Sequence, residues 1–203
     1  MAYQRKDAFY ARAKEAGYRS RAAYKLLELG RRYQLIRRGD HVVDLGAWPG
    51  GWLQVAAELT GPQGRVVGVD LQPIQPLPPP VTTIPGDACD AAVQDAVRER
   101  CGGRIDVVLS DMAPKLSGIR DRDIAQAVAL ADAALAIAAR LLAPGGRLLI
   151  KLFTAPESDA VVAAARRRFQ SVKLTRPEAT RKGSAEMYLV CSGFRAERQE
   201  IEP

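Results

Sequence analysis

The glycine-rich segment DLGAWPGGW, from Asp44 to Trp52, is the part of the chain best suited to bind a small ligand. It follows an apolar run typical of a buried strand and precedes a stretch with helical spacing. Gly46, Gly50 and Gly51 have no Cβ, so the backbone can turn tightly and approach a ligand closely. The following helix offers amides that have no partner within the helix. The segment therefore predicts a ligand-binding turn between a strand and a helix.

Two aspartates follow the next two strand candidates. Asp70 ends the second strand, about twenty residues past the turn, where a carboxylate can accept both hydroxyls of an adenosine ribose. Asp87 follows the third strand, where a carboxylate can accept a hydrogen bond from an adenine amino group. A surface or capping role is the commoner one for either residue alone. Their recurrence at successive strand ends favours nucleoside binding, because open α/β sheets bind ligands there.

The turn departs from the dinucleotide-binding pattern GxGxxG. The second glycine of that pattern lets a pyrophosphate approach, and here Trp48 occupies its position. A bulky indole at this point disfavours NAD. A nucleotide-dependent oxidoreductase is therefore an alternative that the sequence supports poorly.

Seven short β-rich runs alternate with helical stretches from Asp40 onward, which predicts βα units and a parallel sheet. The strand candidates are HVVDLG, RVVGVD, VTTIP, IDVVLSD, GRLLIKLF, SVKLT and EMYLVCSGF. Helices are predicted near residues 51–60, 88–100, 122–142 and 157–169. The expected fold is α/β, a doubly wound and mostly parallel sheet of about seven strands with helices on both faces. The five prolines of residues 72–80 predict a stiff loop.

The N-terminal region is strongly basic. Lys and Arg number 30 against 23 Asp and Glu, which gives a net charge of +7. Much of the excess lies in the first forty residues, at Arg5, Lys6, Arg12, Lys14, Arg19, Arg21, Lys25, Arg31, Arg32, Arg37 and Arg38. The spacing of apolar residues predicts two helices in residues 4–36, with a break at Gly17 and Ser20 as a cap for the second. Clustered positive charge favours a polyanionic partner, although a solvated helical face accounts for it equally well.

The length of 203 residues is usual for one domain. We expect a single domain comprising a basic helical region at 1–38, a core at 39–194 and a loose tail at 195–203. Three widely spaced cysteines predict neither a disulfide framework nor a zinc site. The sequence shows no signal peptide and no run of about eighteen apolar residues, so we expect no membrane segment and a cytoplasmic location. A monomer is the default expectation.

Five sequence blocks resemble the FtsJ/RrmJ family of ribose 2′-O-methyltransferases, over a span from about Tyr18 to Gly193. They are RSRAAYKL at 19–26, DLGAWPGGW at 44–52, SDMAP at 110–114, IKLF at 150–153 and RKGSAEMY at 181–188. The resemblance implies a Rossmann-like fold that uses S-adenosylmethionine. Trp48 departs from the family pattern, which has a small residue at that position.

The resemblance also implies the residues of the site. The catalytic tetrad would be Lys25, Asp111, Lys151 and Glu186. The S-adenosylmethionine pocket would be lined by Gly50, Trp52, Asp70, Asp87 and Asp111. Transfer from a sulfonium uses a methyl group that is already activated, so the protein must align the acceptor hydroxyl and manage its proton. No metal is expected.

Each tetrad residue has an expected role. Lys151 is the candidate proton acceptor, and Asp111 orients it near the methyl donor. Lys25 and Glu186 would position the ribose and tune the site. The Lys25 cation would lower the pKa of Lys151, whereas the carboxylates of Asp111 and Glu186 would raise it. The four groups are therefore expected to titrate as one coupled unit.

RNA is the expected partner, because a ribose 2′-hydroxyl occurs in RNA and not in DNA. The resemblance implies a uridine of large-subunit (23S) ribosomal RNA, modified during ribosome maturation on free RNA or on the 50S particle, with contact through the basic N-terminal region. Two alternatives remain. One is a ribose methyltransferase acting on the tRNA anticodon loop, and the other is a non-catalytic RNA-binding factor in ribosome assembly, which predicts a degraded tetrad.

Overall fold

A computed structural model describes residues 8–115, 117–181 and 183–196. Arg5, Lys6, Lys182 and most of the predicted C-terminal tail lie outside these ranges. The helices are α1 Ala8–Glu15, α2 Ala23–Tyr33, α3 Gly51–Thr60, α4 Ala91–Arg100, α5 Arg120–Leu141 and α6 Ser158–Arg168. The strands are β1 His41–Leu45, β2 Arg65–Asp70, β3 Val81–Pro85, β4 Val107–Ser110, β5 Arg147–Phe153, β6 Phe169–Thr175 and β7 Glu186–Phe194. These elements confirm the predicted order of helices and strands.

The seven strands form one sheet in the order β3-β2-β1-β4-β5-β7-β6. Six strands run in the same direction, and β7 lies between β5 and β6 and runs antiparallel to both. Strands β2 and β3 extend the sheet on one side of β1, and β4 then pairs with β1 on its other side. Open sheets bind ligands where the order reverses in this way, at the carboxyl ends of the strands. The crevice is therefore located between the ends of β1 and β4.

Apolar side chains cover both faces of the sheet, as predicted. Helices α2 and α3 contribute to the core on one face, and α4, α5 and α6 to the core on the other. In β5 the side chains alternate between these cores, with Leu148 and Ile150 on the α5 side and Leu149 on the α2 side. Period-two alternation therefore places Lys151 on the α2 side. A lysine within a buried strand thus faces helix α2.

Helix α2 packs against the sheet through Ala23, Leu26 and Leu29, all of which are fully buried. The predicted Ser20 cap is wrong, because the cap position is Ala22 and no side chain bonds there. Ser20 instead lies against the glycine-rich turn. A Cβ added to Gly51 would stand 2.3 Å from the Ser20 hydroxyl, so this contact requires glycine.

Helix α5 is the part of the described chain that comes nearest to a membrane-spanning segment. This helix of 22 residues is apolar enough, by length and composition alone, to cross a membrane. Its apolar side nevertheless packs in the core, through Ala131, Ala134, Leu135 and Ala138. We therefore assign α5 as a core helix.

A buried ion pair joins the start of β5 to the connection between α2 and β1. The Arg147 guanidinium lies 2.9 Å from the Asp40 carboxylate and donates to the Leu35 carbonyl at 2.9 Å. Removing one partner of a buried pair leaves a desolvated charge, which costs about 3–5 kcal/mol. We therefore expect Arg147→Ala to lower the free energy of unfolding by roughly 3 kcal/mol in urea denaturation.

The matched control is Arg140→Ala. Arg140 also pairs with an aspartate, Asp95, at 3.0 Å, but the two side chains are 45% and 65% exposed. Exposed pairs contribute under about 1 kcal/mol. Equal losses in the two variants would show that the buried pair does not anchor β5.

Candidate active site

A cavity of about 560 Å³ opens at the carboxyl ends of the central strands. Its charged lining consists of Asp70 after β2, Asp87 after β3 and Asp111 after β4, and the lining contains no lysine or arginine among the described residues. A smaller cavity of about 30 Å³ lies beside it and shares Gly46, Trp48 and Asp111 with it. The larger cavity is therefore strongly acidic.

The glycine-rich turn and Asp70 hold each other in place. The two Asp70 carboxylate oxygens accept hydrogen bonds from the backbone amides of Trp48 at 2.9 Å and Gln72 at 2.8 Å. The turn itself needs Gly46, whose φ is +75°. A Cβ at this position would also stand 2.6 Å from the Met112 side chain. Asp87 is fixed in a similar way by the Cys89 amide at 2.9 Å. Both carboxylates are thus oriented by backbone before any ligand binds.

Asp44, in β1, is a buried carboxylate without a hydrogen-bond partner among the described residues. Its side chain borders the smaller cavity, and only 1% of the residue is exposed. Burial, together with the charges of Asp111 and Asp70, raises the pKa of Asp44 well above its ordinary value. A cation placed beside it would relieve this cost.

These carboxylates fit S-adenosylmethionine, which carries a sulfonium and an ammonium group. Its two cationic centres suit Asp44 and Asp111, while Asp70 and Asp87 offer acceptors to a ribose and an adenine. A pyrophosphate in the larger cavity would meet the like charges of Asp70, Asp87 and Asp111. The charge of the site therefore agrees with the Trp48 argument against a dinucleotide.

The two lysines predicted for the tetrad are both buried, and each is paired. The Lys151 amine donates to the Asp111 backbone carbonyl at 2.6 Å and lies 3.1 Å from the Asp111 carboxylate. The Lys25 amine bonds the Glu186 carboxylate and reaches the Tyr188 hydroxyl at 3.2 Å. The structure therefore brings all four predicted residues into one cluster.

Tyr188 joins the two ion pairs. Its hydroxyl lies 2.7 Å from the Asp111 carboxylate and 3.0 Å from the Glu186 carboxylate. A phenol has one proton, so it donates to one carboxylate at a time while it accepts from Lys25. Burial, with the charges of Asp111 and Glu186, raises the pKa of Tyr188 well above its ordinary value, so the hydroxyl stays protonated. The cluster thus consists of two ion pairs whose carboxylates share one hydroxyl.

Strand register explains how these groups meet. In the antiparallel pair of β5 and β7, Lys151 lies opposite Tyr188, and Phe153 lies opposite Glu186. Tyr188 belongs to the core on the α2 side, where α2 brings Lys25 from above. The inserted antiparallel strand therefore supplies half of the cluster.

The cofactor residues implied by resemblance occupy different environments. Asp70, Asp87 and Asp111 line the larger cavity, whereas Trp52 lines the smaller one and donates its indole N–H to the Ala22 carbonyl at 2.8 Å. Gly50 is absent from the described lining of both cavities, and its Cα faces Arg19. Cofactor contact by Gly50 and Trp52 stays a prediction.

Two basic residues of the N-terminal region bind the protein's own backbone. The Arg19 guanidinium donates to the carbonyls of Gln75 at 2.6 Å and Pro76 at 2.7 Å, and reaches that of Pro49 at 3.3 Å. Arg21 donates to the Ala179 carbonyl. Arg19 thus ties the proline-rich loop to the glycine-rich turn.

Sequence reasoning missed Asp44 and Tyr188 as site residues. Asp44 is a charged residue inside the apolar run HVVDL, which is a signal that it needs a partner. Tyr188 follows Glu186 by two residues, so strand alternation puts both side chains on one face. Both signals were present in the sequence.

The fold, the acidic cavity and the lysine-carboxylate cluster define an S-adenosylmethionine-dependent methyltransferase. A family model described as FtsJ-like methyltransferase matches residues 18–194. The chain belongs to this family.

Close relatives span nearly the whole chain. A protein of Methanoculleus marisnigri is 49% identical over 97% of this chain and 96% of its own length. A protein of Methanothermobacter thermautotrophicus is 48% identical over 98% of this chain and 95% of its own length. One of Acidithiobacillus ferrooxidans is 46% identical, over 96% and 89%. All three are named ribosomal RNA large subunit methyltransferase E.

Solved structures share the fold. A Plasmodium falciparum structure described as a ribosomal RNA methyltransferase aligns with a TM-score of 0.77 and 28% identity, covering 87% of this chain and 98% of the other. The MycE methyltransferase of mycinamycin biosynthesis aligns with a TM-score of 0.57 and 16% identity, covering 96% of this chain and 51% of that one. At that identity, MycE supports the fold alone.

We expect Asp44→Asn to stabilise the cofactor-free protein. A carboxyl whose pKa is raised by folding favours the folded state at low pH, and this contribution is lost as pH rises above the ordinary value of the group. The asparagine cannot ionise, so its Tm near pH 7 should be higher by a few degrees, for a gain of about 1–3 kcal/mol. Affinity for S-adenosylmethionine should fall. Thermal melts from pH 5 to 9 and calorimetric titration measure both.

Asp95→Asn is the control, because its side chain is 65% exposed. That variant should keep the wild-type dependence of Tm on pH. Coincident melting curves for Asp44→Asn and wild type would contradict the cost assigned to buried Asp44.

We expect Tyr188→Phe to lower kcat for methyl transfer about 10- to 100-fold with unchanged affinity for S-adenosylmethionine. The phenylalanine keeps the ring packing but leaves Lys25 and the two carboxylates without the hydroxyl that links them. The pH–rate profile should shift, because the coupled groups lose a common partner. Single-turnover rates across pH test this. A kcat and profile matching those of Tyr33→Phe would remove Tyr188 from the positioning role.

Proposed function

We propose that the protein is an S-adenosylmethionine-dependent RNA 2′-O-methyltransferase that modifies a uridine of large-subunit ribosomal RNA. The observation that carries the proposal is the buried cluster of Lys25, Glu186, Tyr188, Asp111 and Lys151 beside the acidic cavity. Such a cluster can hold and accept a proton next to a bound methyl donor. The ribose 2′-hydroxyl of RNA is a methyl acceptor that must lose its proton, so it requires such a group.

The cofactor supplies a methyl group made electrophilic by its sulfonium. Asp70, Asp87 and Asp44 would hold it, through acceptors for the ribose and adenine and through a carboxylate for the ammonium group. Asp111 belongs to both the cavity and the cluster, so it would set the distance between donor and acceptor. Alignment of this kind is the main contribution a protein makes when the electrophile is already reactive.

Lys151 is the proposed proton acceptor. Two contacts to Asp111 orient its nitrogen, which leaves a third direction around that atom for a substrate hydroxyl. Lys151 must first release its own proton to solvent, after which the charges of Lys25, Asp111 and Glu186 sum to −1. Taking the hydroxyl proton makes the cluster neutral, so the buried carboxylates favour the transfer.

The substrate class rests on the names of the relatives and on surface charge. Relatives at 46–49% identity are named for large-subunit ribosomal RNA. Within the described N-terminal residues, Arg12, Lys14, Arg31 and Arg32 are exposed and can contact phosphates, whereas Arg19 and Arg21 bind backbone. We propose that a monomer acts in the cytoplasm, on free ribosomal RNA or on the 50S particle.

The test is transfer of tritium from labelled S-adenosylmethionine to 50S particles, free ribosomal RNA and tRNA. We expect label in the large-subunit RNA, recovered as 2′-O-methyluridine after digestion. Lys151→Ala should lower kcat by at least a hundredfold, since it removes the group that takes the proton, while calorimetry shows S-adenosylmethionine affinity largely retained.

Lys173→Ala is the matched control, because Lys173 is an exposed lysine on strand β6, which β7 separates from β5. It should keep wild-type turnover. Label found in tRNA alone would replace the proposed substrate by the anticodon-loop alternative. Cofactor binding without label in any RNA would favour the assembly-factor alternative, and near-normal turnover of Lys151→Ala would remove it as the base.

A further inference from the structure

Trp48 exposes a large aromatic surface at the mouth of the active site. Trp48 is 53% exposed. Its backbone amide bonds the Asp70 carboxylate, and the residue after Asp70, Leu71, is 75% exposed. Both line the acidic cavity. Single exposed apolar residues are common on protein surfaces, but two at the mouth of one functional cavity form a patch of the kind that binds a partner.

The backbone that carries the indole is fixed from several sides. The Trp48 amide donates to Asp70 at 2.9 Å, and the preceding amide, of Ala47, donates to the Val69 carbonyl at 3.1 Å. On the other side the Pro49 carbonyl accepts from Arg19. An aromatic ring on a fixed backbone loses little conformational freedom when a partner covers it.

The position of Trp48 links the donor and acceptor sides of the site. It lines the larger cavity and also the smaller one, which includes Ser20 and Asp111. Asp111 in turn touches Lys151, the proposed proton acceptor. A group stacked on the exposed part of the indole would therefore lie close to where the acceptor hydroxyl enters.

We propose that Trp48 is a stacking platform for an unpaired base of the RNA substrate, at or next to the methylated nucleotide. This inference rests on the proposed function. The flat face of a base is neutral and apolar, so it matches an indole at the mouth of a cavity whose charged lining residues are aspartates. A phosphate at the same place would be repelled. Stacking on an aromatic side chain requires no particular base and holds a nucleotide in one plane.

The fluorescence of Trp48 itself reports the contact. The chain has two tryptophans, and the other, Trp52, is buried with its N–H bonded to the Ala22 carbonyl. Titration with single-stranded poly(A) should quench the wild-type emission. Trp48→Phe should lose that quenching. Double-stranded poly(A)·poly(U), in which every base is paired, should leave the Trp48 emission unquenched.

Kinetics give an independent readout. Trp48→Ala should raise the KM for ribosomal RNA roughly tenfold, the scale of losing one stacked base, with the affinity for S-adenosylmethionine unchanged. Trp48→Phe keeps an aromatic ring and should stay within about threefold of wild type. Leu174→Ala, at another exposed apolar residue, is the control and should not change KM.

Three results would overturn the inference: an unchanged RNA KM in Trp48→Ala, equal quenching by the duplex, or no quenching by any RNA. Quenching by S-adenosylmethionine alone, with loss of cofactor affinity in Trp48→Ala, would overturn it in favour of an indole that covers the cofactor. Failure of the proposed function is distinct, since wild-type protein would then transfer no methyl group to RNA whether or not RNA quenches Trp48.

Discussion

The structure depends on two buried lysine–carboxylate pairs that are connected through one tyrosine hydroxyl. Lys25 and Lys151 are 7% and 8% exposed, and Tyr188 is fully buried. An isolated buried charge costs several kcal/mol, and the mutual attraction of a pair offsets this only when the geometry is good and other hydrogen bonds are satisfied. Here each charge has an opposite neighbour, and the Tyr188 hydroxyl connects the pairs. Removal of any one of these groups therefore leaves another buried charge without its partner.

The fold supplies this unit from four elements that are distant in sequence. The parallel strands place Asp70, Asp87 and Asp111 at one edge, where they line the larger cavity. The antiparallel strand β7 then brings Tyr188 opposite Lys151, and α2 covers the pair with Lys25. Parallel strands thus provide the crevice, while the inserted strand and the N-terminal helix provide Tyr188, Glu186 and Lys25 of the cluster. The site lies where these two parts of the sheet meet.

Much of the fold follows from local patterns. Short apolar runs and helical spacing predicted the order of strands and helices, because core packing requires those periodicities. The position of β7 within the sheet depends on non-local pairing, which local periodicity does not report. The Ser20 cap was wrong because Ser20 packs on Gly51 in a tertiary contact. The tetrad came from matching blocks, whereas Tyr188 and Asp44 required the observed hydrogen bonds and burial.

A double-mutant cycle on Lys25 and Asp111, which are joined through the Tyr188 hydroxyl, is the most direct test of the cluster as one unit. The rate of methyl transfer would be measured at saturating cofactor for Lys25→Ala, Asp111→Ala and the double variant. Groups that act together are strongly non-additive. The account predicts that the double variant is no slower than the slower single variant. Losses that multiply would show independent groups and contradict the shared network around Tyr188.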